Sequence, residues 1–387
     1  MGDGGRRWLM LALGVAAQAA GCAFVYGAPY LADVLRERQG LTLAETGLLA
    51  ACPTLGLLLA QAAWGYVVDR WGERLALAVG LGGSALVLLA CWLPIGLAWT
   101  GVVFALAGAA GASVNSASGR VVLGWFPAER RGLAMGVRQT STPLGMVVAA
   151  LGVPPVAAGY GIRGMALGCA GLAALVAVAC WLLVVDPPRV TVAGAAGGSP
   201  YRDPLLWRVH GTSALLVVPQ FAVAGYGYLY LADAADWDPV SAGRLMAVGL
   251  GLGALARIAV GRWSDALASR LRPLRWVAAA TAVGVGALAV SASGAGRLPG
   301  LAVALLVVAV VLTASGNGLA FTAVAELAGP GWAGRALGVH NTGQNLVGFA
   351  VFPLVGVVVG AASYGVAFAV AAGCAVVAVR VVPTGIR

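Results

Sequence analysis

Charge is scarce in this sequence, and lysine is absent from it. Charged residues make up 10% of the 387 positions, and all 24 basic side chains are arginine. Soluble domains carry roughly 25% charged residues, so the chain lacks the polar shell that a soluble core of this size needs. Cysteine is sparse as well. Cys22, Cys52, Cys91, Cys169, Cys180 and Cys374 all lie in apolar segments, and none has CxxC spacing. That argues against a disulfide framework and against a metal site. No phosphate-binding loop and no nucleophile–base pair stands out, and Gly80-Leu81-Gly82-Gly83 reads as a helix-packing signal. These absences speak against an enzyme, against a bound cofactor and against ATP-driven transport. A net charge of +10 raises nucleic-acid binding. The arginines, however, sit in short loops between apolar runs and form no stripe on a polar module.

What the chain has is apolar length: 60% of its residues are hydrophobic. A bilayer core of about 30 Å is crossed by about 20 helical residues. Twelve such segments are predicted, at 8–31, 42–66, 75–95, 98–123, 132–154, 162–185, 205–231, 240–263, 274–293, 298–325, 335–358 and 362–382. The first follows Arg6-Arg7 in the manner of a signal peptide, and Ala19-Ala20-Gly21-Cys22 resembles a lipoprotein cleavage site. But its apolar stretch runs on to Leu31 and eleven similar segments follow, so it reads as a membrane helix. The predicted fold is all-α, with twelve transmembrane helices in two six-helix bundles. The bundles are residues 1–185 and 205–387, and 186–204 forms a polar linker.

Arginine placement orients the chain. With the N-terminus inside, the outer segments hold Arg36, Arg38, Arg163, Arg244 and Arg297. Arg120, Arg138 and Arg257 fall within spans, and the remaining sixteen lie on the inner side. This positive-inside bias places both termini in the cytoplasm and the protein in the cell membrane.

The halves repeat weakly. Tyr26 and Tyr30-Leu31-Ala32-Asp33 return as Tyr226 and Tyr230-Leu231-Ala232-Asp233, at an offset of 200. Gly65 and Asp69 return as Gly261 and Asp265, at 196. Ser113-Val114-Asn115 returns as Ser315-Gly316-Asn317, and Ala134-Met135-Gly136-Val137-Arg138-Gln139-Thr140 as Ala336-Leu337-Gly338-Val339-His340-Asn341-Thr342, both at 202. Matches in one order at nearly one spacing mark an internal duplication, which is common among transporters.

Span two ends Gly65-Tyr66-Val67-Val68-Asp69-Arg70-Trp71-Gly72-Glu73-Arg74, and a degenerate copy runs Gly261-Arg262-Trp263-Ser264-Asp265. The first resembles the loop 2–3 signature of the major facilitator superfamily, GxxxDRxGxR/K. Trp125-Phe126-Pro127-Ala128-Glu129-Arg130-Arg131-Gly132 and Arg138-Gln139-Thr140 with Pro143-Leu144-Gly145 are similar to that superfamily too. The resemblance implies a secondary carrier working by alternating access, with one central cavity. Independently of it, Gly65 admits a close helix neighbour. Asp69, at a helix boundary, can meet arginines or another helix's N-terminus. Gly65, Asp69, Arg70, Arg74, Arg130, Arg131, Gly261 and Asp265 are therefore assigned to a cytoplasmic gate, with Arg70, Arg74, Arg130 and Arg131 as available partners of Asp69. The alternative is that these arginines only set topology.

Polar side chains inside a span are costly and face a cavity or another helix. Arg120 is placed to snorkel to the surface, which leaves Arg138 and Arg257 as ligand candidates, with bonding to backbone carbonyls at the cytoplasmic end as the alternative. Carboxylates such as Asp33, Glu45, Asp233, Asp236 and Asp238 fall at outer ends, and Glu326 falls near an inner end. Buried arginine without a nearby acid points to an anionic substrate. Arg257 also resembles, in its spacing before Gly261, the span-eight arginine of monocarboxylate and oxalate carriers. The acid one turn earlier in monocarboxylate carriers is here Gly253, a departure from their pattern. Asn115, Asn317, Gln139, Asn341, Asn345, Tyr26 and Tyr226 are further candidate substrate contacts, with Gln18, Gln220 and Gln344 as possible additions. Each of these amides has helix–helix bonding as its alternative. Histidine ordinarily titrates near neutral pH, which makes His340 the candidate proton-coupling residue, with a hydrogen-bonded structural role as its alternative. The expected partners are a small-molecule substrate, with a proton or counter-ion, and the bilayer; the expected state is a monomer. Efflux of a lipophilic drug or metabolite is the competing transport function, and a non-transporting membrane receptor or scaffold is the competing class.

Overall fold

A computed structural model describes residues 3–31, 35, 36, 38, 40–93, 96–187, 199–231, 235, 237–293 and 299–383. Asp33, Asp233 and Asp236, and residues 188–198 of the expected linker, lie outside the described residues. Among the described residues the structure is helical, without strands. The order is α1 (Asp3–Val25), α2 (Leu43–Trp71), α3 (Glu73–Leu88), α4 (Leu97–Gly111), α5 (Ser113–Trp125), α6 (Arg131–Arg138) and α7 (Ser141–Leu183). It continues with α8 (Pro204–Leu229), α9 (Pro239–Ala266), α10 (Leu271–Ala292), α11 (Pro299–Ser315), α12 (Asn317–Ala328), α13 (Ala333–Ala361) and α14 (Tyr364–Val381).

Apolar runs of this length favour helix because a helix satisfies its own backbone polar groups where water is absent. Four of the helix starts are fixed by side-chain caps. Thr42 and Glu45 form a reciprocal capping box at the start of α2. Asp203 with Pro204 opens α8, Asp238 with Pro239 opens α9, and Ser363 opens α14.

Among the described residues, eleven stretches are long and apolar enough to cross a membrane. One of them, Ala128–Leu183, has 56 residues and is two spans, because Gly161 breaks α7 with φ 62° and ψ −149°. Counting both brings the total to the twelve expected. The fourth and tenth spans are each broken in the middle, at Ala112 and at Gly316, just before Asn115 and Asn317. Large apolar side chains face outward along the spans, with Leu59 77% and Val283 74% exposed. Such a surface suits acyl chains and would be an aggregation patch in water.

The chain folds into two compact units. The first is Met1–Phe126, Thr140–Ala193 and Ala328–Thr342; the second is Pro127–Gln139, Gly194–Leu327 and Gly343–Arg387. Each unit thus combines most of one sequence half with one short segment of the other. In the first, α1 and α3 pack along α7, and α2 packs along α4. Its core includes Met10, Leu77, Leu81, Phe24 and Phe104, the last two edge to face at 5.4 Å. In the second, α9 packs along α6 and α11, and α14 along α8 and α10. Tyr230, Leu288, Leu306 and Phe368 are among its core residues.

The α2–α4 contact is a backbone contact. A Cβ at Gly108 would run into the Pro53 backbone, and one at Gly56 into that of Ala105. Gly108→Ala should lower the thermal midpoint in detergent, by an amount equivalent to about 1–3 kcal/mol. Gly171→Ala, whose added carbon meets nothing within 4 Å, should not. Equal midpoints would show that the two helices do not touch through glycine.

Candidate functional site

In the first unit Asp69, in the last turn of α2, reaches the start of α13. Its carboxylate accepts the backbone N–H of Gly334 (2.8 Å) and of Arg335 (3.0 Å), and Arg335 Nε lies at 3.1 Å. The first N–H groups of a helix have no partners within it and carry partial positive charge, so a carboxylate there is doubly favoured. Gly65 makes the approach possible, since a Cβ on it would meet the Gly334 carbonyl. Arg120 of α5 sits beside the carboxylate, with Nε 3.5 Å from Asp69 and Nη1 2.9 Å from Glu73. Arg335 also lies over the Trp332 ring, 3.7 Å from its centroid.

The second unit repeats this arrangement. Asp265, near the end of α9, accepts the N–H groups of Gly132 and Leu133 at the start of α6, both at 2.8 Å. Gly261 abuts the Gly132 backbone. Arg270 bonds Asp265 (2.6 Å), Ser264 Oγ (2.8 Å) and Glu326 (3.3 Å), and Arg131 lies 3.7 Å from Glu326. Gly132 and Leu133 correspond to Gly334 and Arg335 at the offset of 202, and Asp69 to Asp265 at 196. The repeat found in the letters is therefore repeated in the bonds.

The arginines around these two locks differ from the available set. Arg120 does not extend to the surface; it is drawn inward by Asp69 and Glu73, and its side chain is 14% exposed. Arg74 donates to the Trp181 carbonyl (2.7 Å) and stacks on the Trp181 ring at 4.6 Å. Arg70 and Arg130 are exposed and take no part in either lock. Arg120, Arg335 and Arg270 are the residues that sequence reasoning missed as partners. A span-interior arginine on the same end as a loop acid was the available signal for the first.

Also in the second unit, Arg138 and Arg257 meet at Gln139. Arg138, the last residue of α6, is 0% exposed. Its Nη1 donates to Gln139 Oε1 (2.7 Å), and its guanidinium lies 5.0 Å from the Phe321 ring centroid. Arg257 donates from Nη1 to the Gln139 backbone carbonyl (2.7 Å) and from Nε to that of Ala314 (2.9 Å). Gly136 lets α6 close on α9, since a Cβ there would press on Arg257 and Ile258.

The equivalent positions in the first unit are His340 for Arg138, Asn341 for Gln139 and Gln61 for Arg257. His340 is 2% exposed and Gln61 is fully buried. Asn341 donates back to the Leu337 carbonyl (2.8 Å), and Thr342 donates to Gln61 Oε1 (3.4 Å). Gln61 was missed; the offset pairing Gly65 with Gly261 also pairs Gln61 with Arg257.

The amides form two matching pairs. Gln18 donates to Asn115 (3.2 Å) and accepts from Ser118 (2.8 Å) in the first unit; Asn317 donates to Gln220 (2.9 Å) in the second. Tyr226 is committed to the Phe352 carbonyl at 2.5 Å. Tyr26 is half-buried in the first unit, and Asn345 is half-buried in the second, where Gln344 bonds Ser213.

The sequence pattern of the Major Facilitator Superfamily matches residues 9–353. The chain belongs to this superfamily. It is 40% identical over 392 residues to the uncharacterized MFS-type transporter Rv2994 of Mycobacterium tuberculosis strain H37Rv, covering 99% of this chain and 87% of the relative. Among solved structures, the fold is similar to a bacterial homologue of the iron transporter ferroportin in its outward-facing state. That match has TM-score 0.75 at 13% identity, over 97% of this chain and 98% of the other. It is also similar to the E. coli fucose:proton symporter FucP, with TM-score 0.73 at 14% identity over 96% and 98%. Members of the superfamily are secondary carriers of small solutes, and this chain is accordingly a multi-pass membrane carrier and no enzyme.

Asp265→Asn should weaken the start of α6 in this carrier, costing about 1–3 kcal/mol for the backbone donors it serves. The midpoint of thermal unfolding should fall, while Arg262→Gln, at an exposed site, leaves it in place. A midpoint insensitive to Asp265→Asn would mean that the carboxylate is dispensable to the helix start.

Proposed function

We propose that this secondary carrier moves a small organic anion and that Arg138 and Arg257 hold it. The observation that carries the reading is the guanidinium of Arg138, fully buried and bonded to an uncharged amide oxygen beside an aromatic face. A substrate carboxylate matches the planar fork of arginine and makes charge-assisted bonds to it. Arg257 shares Gln139 with it, so one residue orients both cations. Gln139, Asn317, Asn345 and Tyr226 of the same unit are the neutral groups proposed to complete recognition.

The two carboxylate locks are the proposed gate, with both termini on the cytoplasmic side of the cell membrane and the monomer as the working unit. His340 is the proposed coupling residue if protons drive the cycle.

The test is uptake into proteoliposomes, screening mono-, di- and tricarboxylates against lipophilic cations, with and without a pH gradient. Arg138→Gln and Arg257→Gln should each reduce anion uptake by about tenfold or more, the loss expected for a charge-assisted bond. If both variants carry every anion at the wild-type rate, or if only cations are carried, the anion reading fails. Asp69→Asn should insert normally yet slow the initial rate, and unchanged rates would dispose of the gate. His340→Asn should flatten the pH dependence of transport; a retained profile removes His340 from coupling.

A further inference from the structure

The two locks are not equal in charge. Around Asp265 the carboxylates Asp265 and Glu326 are matched by Arg270 and Arg131. Around Asp69 there are three carboxyl groups, Asp69, Glu73 and Asp186, against Arg120 and Arg335. The extra acid is Glu73, the first residue of α3, which is 1% exposed. One of its oxygens takes Arg120 at 2.9 Å. The other, Oε2, is buried and has no hydrogen-bond donor among the described residues.

The neighbour of Glu73 is another acid. Asp186, just beyond the end of α7, packs its carboxylate against the backbone on either side of Glu73, at Gly72 and Arg74. It is held there by the N–H of Arg74 at 2.9 Å. It presses so closely on Gly72, at φ 96°, that a Cβ there would strike its carboxylate. Two carboxylates in contact repel, whereas a carboxylic acid and a carboxylate make a strong hydrogen bond through the one proton they share.

The other charges facing the pair are already committed. Asp69 of α2 takes the start of α13, and Arg335 of α13 is bonded to Asp69. Arg74 has its guanidinium on Trp181, and Arg6 of α1 lies over the Trp125 ring. Arg70 of α2 points out and is exposed.

We propose that Glu73 and Asp186 form a proton-sharing pair, a protonation site attached to the Asp69 lock. With the proton present, Glu73 is the weaker competitor for Arg120, which stays available to Asp69. When the proton passes to water by way of half-buried Asp186, the two carboxylates repel. Glu73 then takes Arg120 fully, and Asp69 keeps the start of α13 without it. The Asp69 lock therefore loosens on deprotonation, and the Asp265 lock, balanced two against two, does not respond.

Infrared spectroscopy of the full-length purified protein, titrated with base, tests the site directly. A carboxylic-acid C=O band should be present near neutral pH and lost on alkalinisation. It should be missing in Glu73→Gln and altered in Asp186→Asn, and it should remain in Glu326→Gln. A band unaffected by both Glu73→Gln and Asp186→Asn overturns the shared proton, and the second variant serves if the first does not fold. The link to the lock is read from buried Ala333, at the start of α13. Maleimide labelling of Ala333→Cys, normalised to a free thiol at each pH, should rise several-fold with alkalinity, and Glu73→Gln should remove that rise. An identical rise in both backgrounds overturns the link. Neither readout uses transport, so these outcomes are separate from the fate of the anion reading.

Discussion

A helix cannot bond its own first N–H groups, and in this protein two helix starts are supplied from the other half of the chain. Asp69 and Asp265 each accept two backbone N–H groups from a partner helix, and each is brought in by a glycine one turn earlier. Most of the arrangement follows from this need. It explains why glycine stands at 65 and 261, where any side chain would hold the helices apart. It explains why arginines gather beside both carboxylates, since an acid serving neutral donors still carries its full charge. It also explains the composition of the two compact units, each of which incorporates the short segment whose helix start it caps.

The repeat preserves this framework and varies what lies one and two turns further in. Where the second unit has Arg138 and Arg257, the first has His340 and Gln61. The backbone packing is alike at both places: Gly136 closes on Arg257, and Gly338 closes on Gln61. Duplicated geometry with unduplicated charge separates two jobs. Backbone contacts that require glycine hold the helices together, and the side chains on the same helices are left to differ.

The fold was legible in the sequence because it rests on span length and on periodic apolar runs, which lipid enforces residue by residue. The break at Gly161 was legible, since the fifth predicted span ends at 154 and the sixth begins at 162; those at Ala112 and Gly316 fall inside predicted spans and were not. Of the candidate site, the glycines and aspartates could be read from their spacing, and Arg138 with Arg257 from their depth. Partner choice could not. Arg120, Arg270 and Arg335 outcompete Arg70 and Arg130 because tertiary packing brings them closer, and nothing in a linear motif records that distance. Glu73 looked like a loop residue until its burial against Asp186 became visible.

Reciprocity also bears on ancestry. An unfused six-helix chain would carry both an Asp69-type carboxylate and a Gly132-type helix start. Two copies meeting about a twofold axis would make each contact twice, the pattern of an isologous dimer. Fusion removes the need for two identical surfaces. One copy can then acquire a cation and the other an imidazole or an amide while the contacts between them stay as they were.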